Sequence, residues 1–394
     1  MENDSARTKV RFPSLMGVHV TPAETKRDRN EFLSLPRKIY TDMPGFVAPL
    51  DLERRSMLDP KAAAFFHHGR ACYFLARQNG RLVGRISAQV DPLAVTQWGA
   101  PIGLFGALDA VDDEEVIGAL FSAACAWLQG EGMTHARGPY LLSANGESGL
   151  MISGQTERPM IMMPWHPPYL ARHIEALGWT KAMDLLTYEV AVGNSLEAAH
   201  PVPTMRLNSD GMGHLTVRQM RPRHIAEDGE ILRTLYNDAW SDNWGFVPLT
   251  THEMTSMIKE MKPILRPDYY VLVERDGVPV AVALLVPNLF DLMADLGGAP
   301  SPIGWVKLVW RLLNKRFRSG RVILLGISAT VRHTTLGAML PSLIIKELMH
   351  RAPSMTIKTA ELGWILETNS SMRRIIEKFA SEPNKRYRLY EKEL

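Results

Sequence analysis

GISATVRHTTLGAML, residues 326–340, runs from an apolar strand through a short polar turn into an apolar helix. A junction of this kind points backbone N–H groups at whatever lies ahead of the helix, which suits a phosphate. The turn holds one glycine, Gly337, where phosphate-cradling loops commonly hold two or more. What surrounds the stretch decides between a cofactor cradle and an ordinary connection.

Working outward, the segment YVLVERDGVPVAVALLVP (270–287) precedes it, and YFLARQNGRLVGRISAQV (73–90) looks like the same hairpin written earlier. Each is a partly alternating apolar run, a two-residue turn (Asn79-Gly80, Asp276-Gly277) and a second apolar run. Asn-Gly and Asp-Gly supply the positive φ angles of a tight hairpin. After the first hairpin come a strand (PIGLFGAL), a helix (DDEEVIGALFSAACAWLQGEG), a strand (HARGPYLL) and a helix (YLARHIEALGW). The second hairpin is followed by the same order: RVILLGIS, LGAMLPSLIIKELMHR, TIKTAELGWIL and SSMRRIIEKF. Gly80 and Gly277 lie 197 residues apart, and the late helices at Ile174 and Ile376 lie 202 apart. A near-constant offset over several elements indicates an internal duplication. The stretch 193–213, rich in Pro, Gly, Asn and Ser, reads as the linker between domains at 1–192 and 214–394. Each copy adds a last strand (MDLLTYEV, KRYRLYEK), so the fold class is α/β, with a mixed central sheet flanked by helices in each domain.

Bulk properties agree with a globular protein of two domains: 394 residues, 46% hydrophobic, 22% charged. A net charge of +3 makes no demand for a nucleic-acid partner. Cys72 and Cys125 sit in apolar surroundings and read as free buried thiols of a reducing compartment. Neither a signal peptide nor an 18-residue apolar run is visible, so a cytoplasmic protein is expected, with surface attachment to the inner face of the membrane left open. His67-His68, His166 and His173 lack ligand-like spacing, so no metal site is expected.

The element order resembles the GCN5-related N-acetyltransferase (GNAT) fold, present twice. In that family the fourth strand leads into an Arg/Gln-x-x-Gly-x-Gly/Ala turn whose backbone N–H groups take the pyrophosphate of coenzyme A. Laid on that pattern, the opening stretch gives Arg332, then Thr335 in place of the first glycine, then Leu336, Gly337 and Ala338. The family's Asn-x-x-Ala-x-x-Leu-Tyr-x-Lys becomes Asn369, Met372, Ile375, Ile376 and Lys378, so the usual tyrosine is Ile376. LARQNGRLVGRISA, GPYLLSANGESGLMISG, NDAWSDNWGFVPLT, AELGWILETNSSM and KRYRLYEK resemble a two-domain branch of the family, which the bacterial ceramide synthases also resemble. The resemblance implies transfer of a long acyl group from acyl-CoA, a co-substrate rather than a tightly bound cofactor, to the amine of a lipid acceptor such as a sphingoid base. Transfer to an amino acid or another small amine, transfer from a charged tRNA, and acyl-CoA or lipid binding without catalysis remain alternatives.

Electrostatics separates the copies. In the first, the helix after the fourth strand begins Asp112, Asp113, Glu114, Glu115, which offsets the helix dipole and repels a pyrophosphate. In the second, Arg332, His333, Thr334 and Thr335 stand there, so coenzyme A is expected on the second copy. The N–H groups near Ile327, Ser328 and Ala329 would hold the thioester carbonyl. Glu361 and Glu367 bracket the fifth strand, and alternation places both on one face as candidate bases. Glu147 is a further candidate, Asn145 beside it reads as a turn residue, and Tyr387 or Tyr390 could protonate the departing thiolate. Residues 289–318 carry Trp305, Leu308, Val309, Leu312 and Leu313 at helical spacing, with Lys307, Arg311, Asn314 and Arg318 on another side. That pattern fits a helix lying in a membrane interface, or one packed on the domain with a solvated basic face.

Overall fold

The structure, a computed structural model, describes residues 17–192, 213–314, 317–351 and 356–394, so the expected linker falls outside the described residues except for Gly213. The first half runs β1 (Val18–Pro22), α1 (Lys26–Ile39), α2 (Asp51–Leu58), β2 (Arg70–Gln78), β3 (Arg81–Val90), α3 (Pro92–Trp98) and β4 (Ile102–Ala110). It continues with α4 (Glu114–Gly130), β5 (His135–Gly138), β6 (Leu150–Ser153), α5 (Tyr169–Ala176) and β7 (Thr180–Ala191). The second half runs β8 (Leu215–Arg218), α6 (Ile225–Trp240), α7 (Thr251–Met261), β9 (Tyr270–Arg275), β10 (Val278–Pro287), α8 (Phe290–Met293) and α9 (Pro302–Leu313). It ends with β11 (Ser319–Ile327), α10 (Ala329–Arg332), α11 (Thr335–Arg351), β12 (Thr359–Leu366), α12 (Ser370–Ile376) and β13 (Lys385–Glu393).

Local chemistry sets these elements. Both expected hairpins form, with Asn79 and Gly80 at φ 51° and 76° and Asp276 and Gly277 at 52° and 79°, the two positive angles such a turn requires. The Asp113 side chain caps α4 by accepting from the Glu115 and Val116 N–H groups, and Thr250 with Glu253 forms a capping box on α7.

All the strands join one 13-stranded sheet in the order β1-β2-β3-β4-β5-β13-β7-β12-β11-β10-β9-β8, with β6 on the side of β13. The halves exchange their last strands: β13 lies against β5 of the first half, and β7 against β12 of the second. The exchanged strands pair with each other at the centre, from Lys385 opposite Thr187 to Glu391 opposite Thr180. Helices α4 and α11 each cover one half with a separate apolar core. A third core spans both halves and includes Tyr140 and Met151 from the first with Leu232 and Leu284 from the second. That shared core holds the site.

Candidate active site

In each half the fourth and fifth strands are parallel and run together only briefly. The β11–β12 ladder stops at Val322 opposite Leu362, and the β4–β5 ladder stops at Leu104 opposite Arg137. Beyond those points the strands diverge and leave backbone groups that need other partners.

In the second half the gap opens on a cavity of about 150 Å³, lined among others by Ile323, Leu324, Trp364, Tyr236, Trp240 and Asn145. An apolar cavity of this size takes a benzene-sized group. Two buried donors on its wall, Asn145 Nδ2 and Trp364 Nε1, have no hydrogen-bond partner among the described residues. Buried N–H groups left unpaired are costly, of order 1–3 kcal/mol each. The Tyr236 hydroxyl donates to Asn145 Oδ1 at 2.9 Å, which fixes the amide with its NH₂ turned away from that contact. Arg321 also lines the cavity and is buried. It donates to the carbonyls of Ile161, Met162 and Gly363 and lies 4.3 Å from the Trp364 ring centre. Burial draws its pKa down to about 10, so it remains a cation at neutral pH.

In the first half the gap is filled by the chain itself. The Tyr140 N–H donates to the Phe105 carbonyl at 2.7 Å, and Gln89 donates to the Tyr140 carbonyl at 2.7 Å. A Cβ on Gly106 would stand 1.7 Å from that carbonyl oxygen, so only glycine allows the approach. Beside this plug lies a cavity of about 90 Å³ that shares Tyr140 with the other one. Its wall carries Arg54 paired with Glu147 at 2.6 Å, Arg85 paired with Asp109 at 2.7 Å, and Lys385 paired with Glu361. Tyr387 is fully buried on the same wall, and its hydroxyl has no partner among the described residues. Burial, then the charge of Glu361, holds the Tyr387 pKa well above the usual tyrosine range, so the hydroxyl keeps its proton. His166 accepts from the Met151 N–H through Nδ1, and burial lowers its pKa to about 3. It is a neutral donor there, with no lone pair left to act as a base.

Of the residues singled out in the sequence, Glu147 and Tyr387 line the polar cavity, and Glu361 stands behind it, paired with the lining Lys385. Glu361 is fully buried, and its Oε1 has no hydrogen-bond partner among the described residues. Glu367 lies elsewhere: the β12–β7 register shifts between Leu362 and Ile365, and Glu367 bonds Lys181 at 2.7 Å and the Asp184 N–H. The strict alternation expected for Glu361 and Glu367 is thus interrupted. Tyr390 donates to Glu175, and Ile376 is a core residue.

At the opening stretch, β11 ends at Ile327 and leads through α10 into α11. Ser328 caps α10, and its N–H donates to the Val280 carbonyl. The Ala329 N–H donates to Asp238 at 2.8 Å, and Arg332 pairs with Asp242 at 3.1 Å. Two carboxylates of the α6 end therefore stand near a turn that the local sequence leaves free of acids. Thr334 caps α11 by accepting from the Gly337 N–H, while Thr335 and Ala338 are exposed and Leu336 is buried. A Cβ on Gly337 would meet the Val331 carbonyl oxygen at 2.1 Å, so this glycine permits the packing of α11 on α10. Asn369 caps α12 by accepting from the Met372 N–H. Burial pushes the free thiols of Cys72 and Cys125 up to about 12 and about 11, leaving neither as a ready nucleophile.

Sequence reasoning passed over Arg321, Trp364 and Arg54 and read Asn145 as a turn residue. A signal for the two cavities was present: Gly45-Phe46-Val47 recurs 200 residues later as Gly245-Phe246-Val247. Phe46 and Val47 line the polar cavity and Phe246 and Val247 the apolar one, so the cavities are equivalent positions of the duplication.

No family model matches the sequence. The chain is 37% identical over 369 residues to protein YghO of Escherichia coli K12, covering 94% of each chain. It is 37% identical over 376 residues to a bacterial ceramide synthase of Caulobacter vibrioides, covering 95% of this chain and 96% of the other. Among solved structures, a tandem GNAT protein from the clavulanic acid biosynthesis pathway superposes with TM-score 0.54 at 13% identity, over 95% of this chain and 98% of that one.

Proposed function

The chain belongs to the tandem GNAT acyltransferase family that includes the bacterial ceramide synthase, and from that premise we propose that it transfers a long acyl group from acyl-CoA to the amine of a sphingoid base. The observation that carries this reading is the open strand gap of the second half, with two unpaired buried N–H donors facing an apolar cavity.

In the proposed arrangement the pyrophosphate of coenzyme A lies at the start of α11, near Thr335 and Arg332, where the helix dipole favours an anion. Arg332 leaves exposed Asp242 for the phosphate. The thioester lies along the free edge of β11, and its carbonyl oxygen accepts from Asn145 Nδ2 and Trp364 Nε1. Arg321 adds a fixed positive charge as the oxyanion develops. The acceptor enters as an ammonium and gives one proton to a base, for which Glu147 on the wall of the polar cavity is the proposed carboxylate. Its nitrogen attacks the carbonyl carbon, the C–S bond breaks as the C=O re-forms, and the thiolate takes a proton. One proton is released overall. Glu361, tied to Lys385, acts by positioning that ammonium.

A lipid acceptor gives a role to α9. Leu308 is buried, and Trp305 and Leu312 pack inward, so three of the five apolar residues expected to meet lipid are covered by the protein, while Val309 and Leu313 are exposed. With Ile303, Val306 and Trp310 those two form an apolar stripe that points out, its members 51–81% exposed. Lys307 and Arg311, both held by Asp295, border it. We assign this stripe to an anionic lipid surface. Among the described residues no helix is long and apolar enough to cross a membrane.

Incubation with acyl-CoAs and amines, read by mass spectrometry, tests the reaction: N-acyl sphingoid product is expected, and its absence with every acceptor refutes the proposal. Asn145→Ala should lower kcat by about 10²-fold, the usual loss for one oxyanion donor. Flotation with anionic vesicles tests the surface. Val306→Glu with Leu313→Glu should abolish co-flotation, and unchanged flotation of that variant rules α9 out.

A further inference from the structure

Duplication gave the two halves equivalent cavities, and they have diverged in opposite directions. The second-half cavity is apolar and aromatic. Two ion pairs stand on the wall of the first-half cavity, Arg54 with Glu147 and Arg85 with Asp109, and a third is formed by the lining Lys385 with Glu361 behind it. Each cation on that wall faces a carboxylate, so the cavity is close to neutral and suits a neutral or singly charged polar group. A nucleotide phosphate would meet Glu147 and Asp109. Buried ion pairs are expensive to assemble, and replacing them with apolar residues is often neutral or stabilising. Three of them around one cavity therefore call for a ligand. The unpaired, fully buried Tyr387 hydroxyl is an independent sign of the same thing.

We propose that this polar cavity receives the head of the acceptor, an amino alcohol, with its hydroxyls against Tyr387 and its nitrogen toward Glu147 and Tyr140, where the two cavities meet. The identity of the ligand rests on the acyltransferase reading above. The assignment of the cavity rests on its own wall. Phe290 of α8 forms part of that wall. Helices α8 and α9 pack together through Leu292, Met293, Leu308 and Phe317. The alkyl chain would leave past Phe290 toward the exposed stripe of α9, and acyl donor and acceptor would approach Tyr140 from opposite halves.

A long-chain amino alcohol carrying a photoreactive diazirine near its head, irradiated with the full-length protein without acyl-CoA, tests the assignment. Labelled peptides are expected within 46–58 and 139–166. Tyr387→Phe removes only a hydroxyl that the fold does not use, so the variant should fold normally. It should raise the KM for the amine about tenfold while the KM for acyl-CoA stays within twofold, tenfold corresponding to about 1.4 kcal/mol. Labelling confined to 232–249 and 321–324, or an unchanged KM for the amine in Tyr387→Phe, would overturn the proposal. A protein that labels at the polar cavity yet forms no amide would support it, and the acyltransferase reading alone would fall.

Discussion

The two halves treat the same gap between parallel strands in opposite ways. The first closes it with its own backbone: Tyr140 bonds to β4 on one side and Gln89 bonds back to Tyr140 on the other. The second leaves it open, with Asn145, itself donated by the first half, and Trp364 presenting unused N–H groups. Charge follows the same division. Asp113, Glu114 and Glu115 start α4, whereas Arg332 precedes α11 and Thr334 caps it. On the proposed assignment, one copy serves as scaffold and polar wall while the open gap of the other receives the donor.

The largest test acts on the pair that joins the copies. Lys385→Met leaves Glu361 buried and uncompensated and should cost about 3–5 kcal/mol in denaturant unfolding. The exposed first-half pair of Arg172 with Asp112, broken by Arg172→Met, should cost under about 1 kcal/mol. Equal losses would mean that the charges at the polar cavity are no more structural than those on the surface.

Next in size, Arg332→Glu with Thr335→Glu should weaken acyl-CoA binding in calorimetry by about 100-fold, or about 2.7 kcal/mol. The matching change in the first half, Glu114→Lys with Glu115→Lys, should leave it within twofold. If the first-half variant responds more strongly, the copies have been assigned the wrong way round.

The smallest effect sharpens the comparison through pH. Asp184 on β7 bonds Arg388 on β13 at 2.8 Å. Burial raises its pKa, but the Arg388 hydrogen bonds and charge outweigh burial and leave the carboxyl below its ordinary value of 3.8. Because the folded pKa is depressed, its stabilisation is present above pH 3.8 and is lost as pH falls through the folded value. Asp109 on β4 behaves oppositely, since burial outweighs Arg85 and raises its pKa. Asp184→Asn should flatten the acid limb of the stability curve below about pH 4, at a cost near 1–3 kcal/mol at neutral pH. A curve that keeps its slope would show that this ion pair does not stabilise the exchanged strands.

Much of the fold was legible because it is local. Asn79-Gly80 and Asp276-Gly277 encode their turns by themselves, and apolar periodicity placed the hairpins and the main strands and helices after them, but not β1, α1, α2, β8, α6 and α7 ahead of them. The exchange of β7 and β13 was hidden, since either strand pattern suits either neighbour and the choice rests on pairings across the whole chain. The site was half legible. Glu147, Glu361 and Tyr387 were picked out as chemistry-bearing types, but the Lys385 partner is visible only once β12 and β13 fold together. Asn145 looked like a turn residue because nothing near it in sequence predicts Tyr236, which orients its amide. The free turn at Arg332 looked unopposed because Asp238 and Asp242 come from a distant helix.

The strand exchange has a consequence for biosynthesis. The first half lacks the neighbour of β5 until β13, which follows the whole second half in the chain, has emerged. Its sheet edge along β5 must wait through the synthesis of the entire second half. A nascent chain halted before residue 385 would therefore hold every strand of the second-half sheet, with β7 already available to β12, while the first-half sheet stays open along β5.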